Sequence, residues 1–154
     1  MKLLYIYIAL CLLLLTLPGG QDVGGLAPAE LVYVQKTGGG VKVGTDMGNL
    51  GAGKDLASAF EDLKNTTPGE VFLDTADYLL VSENSIGLLP ELRTWLGPGC
   101  RVCVAVDVTD LTGAAYYLNA HPPGTRLGSV AEENMALPIL TECRGRFCLK
   151  DEKT

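Results

Sequence analysis

The stretch CRVCVAVDV, residues 100–108, sets a β-branched valine at every second position from Val102 among mostly apolar residues, and it shows no wet face. A strand of that kind is covered on both sides, as the middle strands of parallel sheets are. What flanks it agrees. Upstream, Ser85–Leu96 spaces Ile86, Leu88, Leu89, Leu92, Trp95 and Leu96 as a helix does, with Pro90 near an early turn, before Gly97-Pro98-Gly99 ends it. Downstream, DLTGAAYYLNA reads as a helix capped by Asp110 and stopped by HPPG at residues 121–124.

Further outward, Glu30–Thr45 alternates around the turn TGGG and reads as an N-terminal β-hairpin. Asp77–Val81 reads as a buried strand, preceded by one short extended piece in EVFLD. LPILTECRGRFCLKD, residues 137–151, reads as a C-terminal β-hairpin around Arg144-Gly145-Arg146. Strands alternating with helices predict an α/β fold, a mixed β-sheet with helices packed on it, over a single domain at residues 29–150.

The segment GNLGAGKD, Gly48–Asp55, has two readings. Gly48, Gly53 and Lys54 match the phosphate-loop template, but Asp55 stands where a magnesium-binding hydroxyl belongs. A carboxylate there adds negative charge beside phosphate oxygens. Such a loop should also follow a buried strand directly, whereas VKVGT reads as a short strand followed by about ten loop residues. Asp55 makes better sense as the N-cap of the helix LASAFEDLKN, which puts Leu56, Ala59, Phe60 and Leu63 on one face. Gly51, Gly53, Lys54 and Asp55 are therefore read as a loop that positions a helix, and nucleotide is not expected.

Residues 1–20 carry one lysine, an apolar run from Leu3 to Leu17 and a Pro-Gly-Gly break, the pattern of a signal peptide or an N-terminal membrane anchor. Setting them aside removes Lys2 and no acid, and leaves 11 basic against 18 acidic residues. That balance argues against nucleic acid, which needs a basic footprint. The chain is expected to be exported, extracytoplasmic, and membrane-associated or secreted.

Five cysteines then matter. Cys11 lies within the apolar run and lacks a lipid-attachment setting. Cys143 and Cys148 would face each other across the hairpin if Gly145-Arg146 formed its turn, and a disulfide between them is expected. Cys100 and Cys103 read as buried free thiols; the four together are the alternative, a zinc-type site in a small secreted metal-binding or hydrolytic protein. Asp107 and Asp110 flank a strand end where α/β proteins often hold ligands, and capping explains Asp110 equally well. His121, the one histidine, sits in a turn, and Ser58, Ser82, Ser85 and Ser129 stand in no nucleophile setting. An Asn65-Thr66-Thr67 sequon is present, relevant only in a eukaryotic secretory route. No catalytic residue, metal or cofactor is expected.

The segment GAGKDLASAFEDLKNTTPGEVFLDTADYLLVSE resembles the Ger(x)C proteins, the C subunits of bacterial spore germinant receptors. Their N-terminal domain opens a helix with G-x-G-K-[ST]-hydrophobic-x-x-A, here Gly51–Ala59. It continues through a strand ending in [GS]-E, here Tyr78–Glu83, a helix, here Leu88–Leu96, and an apolar strand, here Arg101–Val106. NMALPILTECRGRFCLKD is similar to the family's link into its second domain. The likeness spans about Ala29 to Lys150 and the first of the family's domains. It departs at LPGGQDVGG, where family members carry a lipid-bearing cysteine followed by Trp-Asp. The resemblance implies a non-enzymatic protein-interaction domain in spore germination. Its partners would be other membrane receptor subunits and, through the N-terminal segment, the membrane surface.

Overall fold

A computed structural model describes residues 26–130 and 136–150; the expected signal peptide or anchor at 1–20 lies outside them. The central run forms β7 (Arg101–Val106). It lies in a seven-stranded mixed sheet with β2 (Leu31–Thr37), β3 (Gly40–Thr45), β4 (Leu50–Gly53), β6 (Tyr78–Val81), β8 (Ile139–Cys143) and β9 (Arg146–Lys150). The spatial order is β4-β3-β2-β6-β7-β8-β9. Strands β2, β6, β7 and β8 run parallel, and the antiparallel hairpins β2–β3–β4 and β8–β9 extend the two sides. A small parallel pair, β1 (Leu26–Pro28) with β5 (Glu70–Phe72), stands apart.

Period-two alternation divides the apolar side chains between two cores. Val32, Val34, Leu79, Val81, Val102 and Val104 face helix α1 (Leu56–Thr66) and the Glu83–Leu92 turns. Leu31, Tyr78, Leu80, Cys103, Ala105 and Leu140 face helix α3 (Leu111–Ala120). A sheet covered on both faces explains why its middle strands carry no polar alternation. Helix α3 is cradled: the site of a Cβ on Gly44 would lie 3.2 Å from Leu111, and one on Gly113 3.0 Å from Phe147 of β9.

Three expectations need correction. The helix expected over Ser85–Leu96 is instead a 3₁₀ stretch, Glu83–Leu88, followed by one α-turn, α2 (Leu89–Leu92). Gly87 and Pro90 weaken a continuous helix, and Ser85 is fully buried, where its Oγ accepts the Lys36 N–H at 2.7 Å and shares a 2.7 Å hydrogen bond with Ser82. Leu89, Leu92 and Leu96 still reach the core, so the apolar spacing served a tight turn. Next, part of the segment read as a helix-positioning loop is strand β4: Gly51 and Gly53 pair with Val43 and Val41.

Last, the expected Cys143–Cys148 bridge is not formed, and both thiols are free and exposed. The hairpin turns at Arg144-Gly145, both with positive φ (52° and 72°), as a type I′ turn requires, so Cys143 pairs with Arg146 and Cys148 with Thr141. Relative to the expected turn, β9 has slid by two residues. The slide sets Leu140 opposite Leu149, whereas the expected register would have set Leu149 against Glu142. The two cysteines stand diagonally, about 7–8 Å apart in such ladders and beyond disulfide reach.

Candidate functional site

At the start of α1, Asp55 adopts an extended backbone and closes a reciprocal capping box. Its Oδ1 accepts the Ser58 N–H at 2.8 Å, and the Ser58 Oγ accepts the Asp55 N–H at 3.2 Å. Hydrogen bonds from the Ser58 hydroxyl and N–H hold the Asp55 carboxyl below its ordinary range. The helix N-terminus is thus filled by the chain's own carboxylate where a phosphate would sit. The glycines serve packing. A Cβ on Gly51 would lie 2.5 Å from Leu63 N and closer still to Ala59 O, and one on Gly53 would lie 2.5 Å from Ala59 N. Lys54 is exposed. The sequon Asn65-Thr66-Thr67 closes the same helix, its two threonine hydroxyls donating to Asp62 O and Leu63 O.

The end of β7 carries three carboxylates. Asp107 is exposed and takes a positive φ of 56° where the strand turns away. Asp110 caps α3, its Oδ1 accepting the Gly113 N–H at 2.9 Å. Glu142, from β8, gathers the Thr109 N–H (2.8 Å), the Thr109 hydroxyl (3.1 Å) and the Asp110 N–H (3.2 Å) on one oxygen. The Thr109 and Asp110 backbone bonds hold its carboxyl below the ordinary 4.5. This carboxylate ties the loop rather than offering a base. Because Asp55 and Glu142 have lowered folded-state pKa values, the stability they lend is present above their unfolded values and is lost as pH falls through the folded ones. Melting temperature against pH should therefore drop on the acid side, and Asp55→Asn with Glu142→Gln should flatten that drop.

The thiolate cluster does not assemble. Cys100 and Cys103 are buried on opposite faces of the sheet, while Cys143 and Cys148 are exposed on the C-terminal hairpin. Among the described residues, no group of three or more His, Cys, Asp or Glu is arranged to hold a metal ion. Burial pushes the Cys100 thiol up to about 12, with the Asp77 charge adding to it, and burial likewise raises Cys103 to about 12. In the full chain, iodoacetamide near pH 8 should modify Cys143 and Cys148 rapidly, and Cys100 and Cys103 only after denaturant is added, as peptide mass mapping would read. The raised folded values also fix a sign: the stability due to the two buried thiols is complete below about pH 9 and falls above it by about 1 kcal/mol per pH unit for each.

His121 stacks on Tyr117 (ring centroids 4.6 Å), with Nδ1 3.3 Å from Tyr117 O, and Tyr117 in turn packs against Phe147 at 5.8 Å. The histidine ends α3 as an aromatic cap. A shallow groove of about 300 Å³ lies between α1 and β5, lined by Lys64, Glu70, Asp74 and Trp95. Trp95 is already engaged there, stacked on Phe60 at 4.9 Å with Lys64 Nζ 5.6 Å from its ring.

No protein-family model, curated protein or solved structure matches this chain.

What sequence reasoning missed lies at the sheet edges, and the two edges are treated differently. On β4, the Ala52 N–H donates to Asp62 Oδ2 at 2.9 Å, and the Thr66 hydroxyl that donates to Asp62 O also lies 3.1 Å from Leu50 O, so α1 side chains engage two of the outward backbone groups. On β9, alternation from the two-residue turn points the main-chain groups of Phe147 and Leu149 outward. Of these, the Leu149 N–H meets Tyr117 Oη at 3.2 Å. Nothing in a linear sequence pairs Asp62 with Ala52; a Gly-x-Gly strand followed closely by a helix is the nearest signal.

Proposed function

We propose that the chain is a non-enzymatic, extracytoplasmic protein-interaction domain, similar to the N-terminal domain of a spore germinant receptor C subunit. The observation that carries this reading is the Gly51–Ala59 segment. It bears the resemblance, with Asp55 at the motif's Ser/Thr position, and its glycines and Asp55 seat a helix on a strand and fill that helix's N-terminus. Support also comes from the element order after Gly51, in which a helix, a strand and an apolar strand follow one another as the resemblance implies, with a short helical turn where it implies a helix. The carboxylates of Asp55, Asp110 and Glu142 are spent on backbone capping, and the buried thiols stay protonated in the neutral range. On this reading the partners are other receptor subunits, with the apolar N-terminal run holding the domain at the membrane; the acidic balance disfavours nucleic acid.

The test is the germination response of a strain lacking this gene, in a spore-forming source, across amino acids and sugars. A lost or slowed response to particular germinants, restored by the gene, supports the reading. A normal response to all of them overturns it.

A further inference from the structure

We propose that the outer edge of β9 receives an extended acidic peptide by strand addition. This deepens the reading above and rests on it only in that the domain works by protein contact. Among the described residues, the Phe147 N–H, the Phe147 C=O and the Leu149 C=O lie on that edge without a partner strand, the Leu149 N–H being held by Tyr117 Oη, while on the opposite edge Asp62 and Thr66 of α1 engage the Ala52 N–H and the Leu50 C=O. An incoming strand would hydrogen-bond to those groups, as strand-adding ligands do.

The two faces of β9 specify what that strand must carry. Arg146 and Lys150 project on one face with Cys148 between them, all three exposed; Phe147 and Leu149 project on the other, half-buried beside Tyr117. A matching strand alternates, placing acidic side chains beside Arg146 and Lys150 and apolar ones beside Phe147 and Leu149. Arg144 at the turn adds a third positive charge in a chain of net charge −6. A second copy fits poorly, because antiparallel pairing of two β9 edges about Cys148 sets Arg146 against Lys150, and like charges directly opposite destabilise a sheet.

The test uses the full chain in a nonionic detergent and three fluorescent peptides read by anisotropy. One alternates glutamate and valine, one alternates lysine and valine, and one is the glutamate peptide N-methylated at every second amide. The expected result is roughly tenfold tighter binding of the glutamate than of the lysine peptide, the effect of two cross-strand charge pairs changing sign. N-methylation should abolish the binding. The double variant Arg146→Glu with Lys150→Glu, which changes only exposed side chains, should reverse the preference. If Arg146 and Lys150 serve only to keep strands away from the edge, no peptide binds and the proposal is overturned. Binding that N-methylation leaves intact also overturns it, since main-chain pairing would then be absent. A failed peptide result beside a retained germination phenotype sinks the edge and leaves the receptor reading standing; the opposite pair of results sinks the receptor reading alone.

Discussion

Phe60→Ala is expected to lower the stability of the domain by about 4 kcal/mol, since a fully buried phenylalanine loses both its transfer free energy and its packing partners. Phe60 has no exposed surface and stacks on Trp95 at 4.9 Å, joining α1 to the segment after α2. Trp95 is the sole tryptophan, so its fluorescence in urea reports this junction directly. Phe60→Leu, which restores most of the volume, should cost less than about half as much. A loss under about 1 kcal/mol for the alanine variant would mean that the helix is not seated on the sheet as described.

The second large effect is expected at Gly51. A Cβ there meets backbone atoms of Ala59 and Leu63, which cannot rotate out of the way as a side-chain tip can. Gly51→Val should cost about 3 kcal/mol or more, with Gly51→Ala between it and the wild type. Gly38, in the hairpin turn, has no heavy atom within 4 Å of its Cβ position, and Gly38→Ala should change stability by no more than about 0.5 kcal/mol. Urea midpoints of the three variants check this. Equal effects at Gly38 and Gly51 would refute the close-approach role and leave only the general cost of losing a flexible residue.

Much of the sheet was legible because its signals are local. The β-branched run at 100–108 and the alternation over Glu30–Thr45 each encode a strand without reference to distant residues, and Asp55 and Asp110 each announce a helix start. The misreadings share a cause, in that a tertiary partner outweighed the local signal. Strand β4 looked like a loop because glycine has low strand propensity; the propensity is overridden where α1 demands a surface without side chains. The Ser85–Leu96 segment has helical apolar spacing, yet Ser85 is drawn inward by the Lys36 N–H, 49 residues away in sequence. The hairpin register turned on whether Leu149 would find Leu140 or Glu142, and the apolar pairing won at the cost of a left-handed arginine. At the candidate site, Asp55 and Asp110 could be read as caps in advance. Glu142 could not, because its target at Thr109 lies 33 residues away.

The unequal edges of the sheet give the molecule a valence. Growth by edge pairing requires two receptive sides on every unit, one to join the chain already formed and one to extend it. Here α1 covers the β4 side, so among the described residues a strand accepted at β9 has no open edge at the far side of the same seven-stranded sheet. Such a unit can end a ladder but cannot continue one. Association through this edge therefore stops at a complex of fixed composition, and fibre growth would first require α1 to peel away from β4.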